Sequence, residues 1–217
     1  MKLINEITEL IIAKAKNGDT IRQLAKKTSF AYSAVYRGVK TLEYYGVVYL
    51  INKGNKTIIK INNNQIYKRF LELHKEVDII EKDKIFWELI KKSKLKIRFI
   101  KGTAAVIWTK GSYITGDFIE RIYNLEVNEK EFIKLKNILK RYGISHSEKN
   151  ISKKRPFIFI TKVKNFKIEK KDNLPVMPLK ELIKWCQELY LDKILEELSS
   201  LYNLKLKNKH SEILTNI

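Results

Sequence analysis

The side chains able to do chemistry in this sequence fall into one abundant class and a few isolated individuals. The abundant class is cationic. Lys and Arg number 44 against 24 Asp and Glu, a formal charge of +20 over 217 residues. An excess of this size favours a polyanion as partner, either nucleic acid or an anionic membrane surface. The same abundance of Lys, Ile, Asn and Glu is also an archaeal-like composition, of the kind that an AT-rich genome or growth at high temperature produces. The isolated individuals lack the neighbours that catalysis or metal binding requires. His74, His146 and His210 make no His-x-x-x-His pair, and no Cys-x-x-Cys or phosphate-cradling Gly-rich run occurs. Cys186, the one cysteine, lies in an apolar helical run, where a buried and inert thiol is expected. No catalytic residue, metal or cofactor is expected, and the chain reads as a non-enzyme.

The elements that would carry the cations follow from periodicity. Leu3, Ile7, Leu10, Ile11 and Ala15 repeat at helical spacing until Asn17-Gly18-Asp19 stops them. Asp19 or Thr20 caps a second short helix to about Lys27, with Ile21, Leu24 and Ala25 inward. After Thr28-Ser29-Phe30 a third helix runs from about Tyr32 to Tyr45, inward at Ala34, Val35, Val39 and Leu42, with Gly46 as its left-handed cap. Two β-branched runs, 47–51 and 56–61, flank Asn52-Lys53-Gly54-Asn55 and read as a β-hairpin.

This order, three helices and a hairpin, resembles the winged helix-turn-helix superfamily of transcription regulators. The resemblance rests on Ile21, Leu24 and Ala25, then Ser33, Val35, Arg37, Val39 and Leu42, then Glu43, Gly46, Val47 and Val48, and spans about residues 3–63. Ala31 departs from it, standing where the family often has a Ser or Thr cap. The resemblance implies that the third helix lies in the major groove of double-stranded DNA and presents its outward side chains, Tyr32, Ser33, Tyr36, Arg37 and Lys40. Arg37 would bond two guanine acceptors, Lys40 a phosphate, and Tyr36 a thymine methyl or a sugar. The hairpin would be the wing, laying Lys53, Lys56 and Lys60 on backbone or minor groove. Residues 1–63 carry a net charge of +7, and the recognition face is expected to carry no acid. Winged helices also contact proteins, and the lysines would then only solvate a surface.

Beyond Asn62-Asn63-Asn64, Ile66, Phe70, Leu73, Val77 and Ile80 step as a short heptad seam that Lys84 ends, and a second segment covers Lys84–Lys92. The seam suits either a homodimerisation helix or a connector packed on its own domains. Residues 95–109 read as an extended apolar run, and Phe118 to Val127 as a strand. Asn128 with Glu131 reads as a capping box for a helix ending near Gly143. A strand at 157–160, the Leu174–Pro178 step and one helix from 179 to 202 complete the chain. The expected organisation is α+β. A winged-helix domain (1–63) is joined by linker or dimerisation helices (64–93) to a small mixed α/β domain (94–204), with a flexible tail (205–217).

The C-terminal half is loosely similar to that of AbiEi-type antitoxins, which also begin with a winged helix. Gly111-Ser112 resembles the Gly-Ser step of nucleotidyltransferase-like domains, but Asp117 is not followed by the paired acids that two-metal chemistry requires. Trp87, Trp108 and Trp185 either line an effector pocket or fill a core. The stretch 149–171 holds nine Lys and Arg against Glu169 alone; it either extends a phosphate-binding footprint or is a solvated face. With no membrane-spanning run in the sequence, the expectation is a cytoplasmic regulator, partnered by DNA and by a second copy of itself, with a protein partner or small-molecule effector for its C-terminal domain. The alternatives are an antitoxin-like or assembly protein whose winged helix contacts protein, and a catalytically degenerate nucleotidyltransferase-like protein.

Overall fold

The computed structural model describes residues 3–205. His210 and nearly all of the expected tail therefore lie outside the described residues. The chain divides into two compact units, Met1–Asp78 and Ile79–Ile217. The mixed α+β class expected from the sequence is the class observed.

In the first unit α1 (Glu6–Lys14), α2 (Ile21–Thr28) and α3 (Tyr32–Tyr44) precede a hairpin of β1 (Val48–Lys53) and β2 (Lys56–Ile61). Both early helices open on full capping boxes, Asn5 with Thr8 and Thr20 with Gln23, so the N-cap amide and one first-turn amide of each are satisfied locally. α3 has Ala31 as its N-cap and no side-chain cap bond, and it is held instead by its buried stripe. Val35, Val39 and Leu42 meet Ile11, Leu24, Val47 and Ile59, all fully buried. Each such side chain contributes about 1.5–3 kcal/mol of burial, far above what the missing cap costs. Gly46, at φ +66°, lets the chain leave α3 and turn directly into β1. Gly54, at φ +57°, occupies the first central position of the two-residue hairpin turn.

The hairpin is not free-standing. Thr20 forms a β-bridge to Ile58, Ile59 exchanges backbone hydrogen bonds with Gly18 and Asp19 (2.9 and 2.8 Å), and the Ile61 amide donates to Asn17 Oδ1 (2.7 Å). The turn that ends α1 thus positions the hairpin beside α3.

Gly38 is where α3 comes closest to α1. A Cβ at that position would lie 2.8 Å from Ile11 Cδ1 and 3.0 Å from Ile7 Cγ2. Gly38→Ala is therefore expected to destabilise the first unit by about 1 kcal/mol, overpacking of ~1–3 kcal/mol outweighing a helix-propensity gain of ~1 kcal/mol. Urea denaturation followed by far-UV circular dichroism measures it, and an unchanged or raised midpoint would show that α1 can move aside.

A single 28-residue helix, α4 (Gln65–Lys92), follows, its first turn capped by Asn64 Oδ1 accepting from Tyr67 N (2.9 Å). The expected break at Lys84 does not occur: an exposed lysine in mid-helix ends a hydrophobic seam without ending the helix, because Lys has high helix propensity. Of the seam residues Phe70 is buried, whereas Ile66, Leu73 and Ile80 are exposed.

The second unit is built on a six-stranded mixed sheet of order β5-β6-β4-β3-β8-β7. Its elements in chain order are β3 (Ile97–Phe99), α5 (Lys101–Trp108), α6 (Gly116–Ile119), β4 (Ile122–Asn128), a 3-10 turn (Glu129–Glu131) and α7 (Phe132–Arg141). These are followed by β5 (Ser145–Ser147), β6 (Phe157–Val163), β7 (Glu169–Lys171), β8 (Leu174–Val176), α8 (Leu179–Glu188) and α9 (Asp192–Tyr202). β4 runs parallel to β6 and antiparallel to β3.

Four expectations are corrected here. The extended run 95–109 is a three-residue strand followed by α5, whose residues Thr103–Trp108 are all buried, so no polar face exists to reveal the helical period. The strand expected from Phe118 begins only at Ile122, after the short α6. Asn128 does cap the turn that follows it, but Glu131 accepts from the Lys96 amide instead of closing a capping box. The last helix is two helices, broken where Tyr190 takes φ +55°.

Trp108 lies in the core of this unit and Trp87 and Trp185 pack against it, the core rather than the pocket alternative. Trp108 Nε1–H donates to the Met177 carbonyl (3.0 Å), and Trp87 packs on Phe99 and Tyr123 (4.9 Å to each ring centroid). Cys186 is fully buried and its thiol is pushed up to about 12 by desolvation. Because the thiolate is the reactive form, an Ellman titration of the native protein is expected to give no colour until denaturant is added. Prompt reaction of the folded chain would show that this core opens locally.

Candidate functional site

The outward side of α3 and the inner side of the hairpin face one another across a groove of about 690 Å³ within the first unit. From α3 it is lined by Tyr32, Tyr36, Lys40 and Glu43, from the hairpin by Leu50, Asn52, Asn55, Lys56 and Thr57, and from the start of α2 by Thr20 and Arg22. Strand alternation decides which hairpin residues reach it. The cross-strand pairs Leu50–Ile59 and Asn52–Thr57 share one face, and Tyr49–Lys60, Ile51–Ile58 and Lys53–Lys56 share the other. Lys56, at the turn, still reaches the groove; Lys53 and Lys60 stand exposed and do not line it.

The eight residues singled out from the sequence thus divide in two. Tyr32, Tyr36, Lys40 and Lys56 come together. Tyr32 and Tyr36 stack at 6.4 Å between centroids, one helical turn apart, and both are largely exposed. Ser33 and Arg37 are exposed on α3 outside the groove, where Arg37 Nε–H donates to the Ser33 carbonyl at 3.4 Å. That long, solvent-facing bond leaves the guanidinium easily redirected.

One expectation about this face is overturned. Glu43 is part of it, and its carboxylate holds the Lys40 ammonium at 2.8 Å while accepting from the Leu50 amide at 3.3 Å. The bond to Glu43 raises the Lys40 pKa above the ordinary lysine value, so Lys40 stays charged but is not a bare cation. Sequence reasoning also passed over Arg22, Asn52 and Asn55. Arg22 is outward in the first turn of α2, and only the packing of α2 against α3 brings it to the groove. The i, i+3 spacing of Lys40 and Glu43 was a signal available in the sequence.

In the second unit Ser112 Oγ lies within donating distance of the Thr109 carbonyl (2.9 Å) and of Glu197 (2.8 Å), while Asp117 is exposed in the first turn of α6. Among the described residues no group of three His, Cys, Asp or Glu could hold a metal. Likewise, among the described residues, no helix is long and apolar enough to cross a membrane. His74 Nδ1 lies 3.1 Å from Glu9, a contact within the first unit.

The basic stretch 149–171 is not one patch. Lys171 stands over the rings of Trp108 and Tyr202 (5.8 and 5.5 Å), and Lys162 pairs with Glu148 (2.8 Å). Arg155 donates to the Ser152 carbonyl (2.5 Å). No protein-family model, curated protein or solved structure matches this chain.

Proposed function

We propose that this protein binds double-stranded DNA through a winged helix-turn-helix formed by its first unit, and that it acts as a transcription regulator. One observation carries the reading: α3 and the hairpin form an open groove. Its lining combines two stacked tyrosines, the cations Arg22, Lys40 and Lys56, and the amides Asn52 and Asn55. Cations suit phosphates, and amides and aromatic rings suit base edges and sugars. A helix projecting exposed side chains beside a basic hairpin is also the way in which helix-turn-helix domains approach the major groove. The single acid of the groove is neutralised by Lys40. The reading assigns no catalytic step to the chain.

A selection from random duplexes with the full-length protein, followed by fluorescence anisotropy on the enriched site, tests it. An enriched motif that competes far better than random duplex is the expected result, and binding with no sequence preference would leave only a charged surface.

Two further observations bear on partners. Tyr44, Tyr45, Tyr49 and Ile51 are exposed at the end of α3 and on the hairpin, which favours a protein partner as a second reading of the first unit. A stoichiometric protein that copurifies and blocks DNA binding would support it. Ile66, Leu73 and Ile80, spaced by seven and exposed on α4, suit a homodimer that reads paired half-sites.

A further inference from the structure

In the second unit, a cleft of about 840 Å³ opens between α7 and the end of the sheet formed by β5 and β6. Its volume lies in the range of about 300–1,000 Å³ typical of small-ligand sites. Four lysines line it, from three parts of the chain. Lys136 and Lys140 are one helical turn apart on α7, Lys149 is in the loop after β5, and Lys162 is on β6. The only carboxylate in its lining is Glu148, and that is already bound by Lys162 at 2.8 Å.

Two of these lysines are held in place by their neighbours. The Nζ atoms of Lys136 and Lys162 stand 5.1 and 4.7 Å from the centroid of the same ring, Phe132, so both cations rest against one apolar side chain. Lys162 is neutralised by Glu148, whereas no carboxylate in the lining pairs with Lys136, Lys140 or Lys149, so the cleft keeps a net positive charge that favours an anion.

The rest of the lining suits the same class of ligand. Ser145, Ser147, Ser152 and Asn150 offer hydroxyl and amide groups. β5 is the edge strand of the sheet, so one row of its backbone groups has no strand partner. The floor is apolar, made by Phe132, Ile144, Phe157 and Ile160.

We propose that this cleft is a binding site for a phosphate-bearing ligand of nucleotide size, with Lys136, Lys140, Lys149 and Lys162 holding the phosphoryl oxygens. Glu148 limits its affinity by occupying Lys162. The phosphate belongs either to a free nucleotide or to a nucleic-acid strand. The site stands whether or not α3 reads DNA.

Calorimetric titration of the full-length protein with ATP, adenosine, inorganic phosphate and a short dT oligomer tests it. ATP is expected to bind at one equivalent, inorganic phosphate more weakly, and adenosine not at all. Replacing Lys136, Lys140 and Lys149 together by Gln should weaken ATP binding by at least about tenfold, because charge-assisted bonds are the strong ones. The matched hairpin variant, Lys53, Lys56 and Lys60 to Gln, should leave ATP binding within about twofold, since none of these lysines lines the cleft.

Glu148→Gln frees Lys162 and should tighten binding by about threefold or more, a gain that misfolding cannot mimic. Binding of the dT oligomer that is lost in the cleft variant, without ATP binding, would assign the phosphate to a nucleic-acid strand; ATP binding lost there would assign it to a nucleotide. Equal losses in the cleft and hairpin variants would overturn the site in favour of overall charge. So would adenosine binding as well as ATP does, or a Glu148→Gln variant indistinguishable from the parent.

Discussion

Arg98→Ala is expected to destabilise the second unit by about 3–5 kcal/mol, the range for removing one partner of a buried ion pair. Arg98 is 7% exposed, in the middle of β3, directly opposite Glu126 in the antiparallel register with β4. Its Nε–H donates to Glu126 at 2.6 Å, and Nη1 donates to Glu181 on α8 at 2.6 Å and to the Lys167 carbonyl at 2.8 Å. The guanidinium also lies 5.0 Å from the Phe166 ring centroid. One side chain thus ties together two strands, the loop between β6 and β7, and a helix.

Truncating it leaves the Glu126 carboxylate, 15% exposed, without its partner in a low-dielectric setting, and desolvation is then uncompensated. Glu181 is 40% exposed, so water replaces Arg98 there and Glu181→Gln should cost no more than about 1 kcal/mol. Replacing both members of the buried pair, Arg98→Met with Glu126→Leu, should recover most of the loss, because apolar side chains of similar volume avoid the desolvation penalty. The measurement is clean, since all three tryptophans lie in the second unit and their fluorescence reports its unfolding alone. A loss below about 1 kcal/mol for Arg98→Ala would mean that water reaches Glu126 and that the pair is effectively a surface one.

Why some of this architecture was legible in the sequence and some was not follows from what each element buries. α3 shows itself because Val35, Val39 and Leu42 alternate with exposed Tyr32, Tyr36 and Lys40, and because Gly46 can take a backbone conformation closed to most residues. α5 conceals itself for the opposite reason. Thr103 to Trp108 are buried all round, and an apolar helix without a polar face has the composition of a buried strand.

β5 and β7 are edge strands of three residues each, Ser145–Ser147 and Glu169–Lys171, and they pair through their backbones with side chains that give no alternation. The break between α8 and α9 falls at Leu189-Tyr190-Leu191, residues without any helix-ending signature. The groove behaves the same way. Its α3 wall could be read from spacing, whereas Arg22 joins it through the packing of α2 on α3, and Asn52 and Asn55 join it because the Thr20–Ile58 bridge ties the hairpin to the α2 entry.

If α3 and the hairpin grip a duplex as proposed, affinity should fall by about 10³ between 50 and 200 mM salt, the loss expected when roughly six phosphates release their counterions. The cations available are Arg22, Arg37, Lys40, Lys53, Lys56 and Lys60, all of them exposed. They are expected to sort by role. Arg37→Ala should cost about 1–3 kcal/mol on the selected site and relax preference at one position, because its fork addresses a base edge. Lys60→Gln, on the hairpin face turned from the groove, should weaken all duplexes alike and lower the salt slope by about 1.

Glu43→Gln carries the opposite sign. It releases Lys40 from its 2.8 Å partner and removes a negative charge from the groove, so random and selected duplexes should both bind several-fold tighter, with a steeper slope. Because the cleft of the second unit is also basic, the Lys136, Lys140 and Lys149 variant is the necessary control, and it should leave the Arg37 effect unchanged. A chain whose duplex affinity ignores Arg37, Lys60 and Glu43 while losing its salt dependence in that control would hold DNA by its second unit, and the role assigned to α3 would then be wrong.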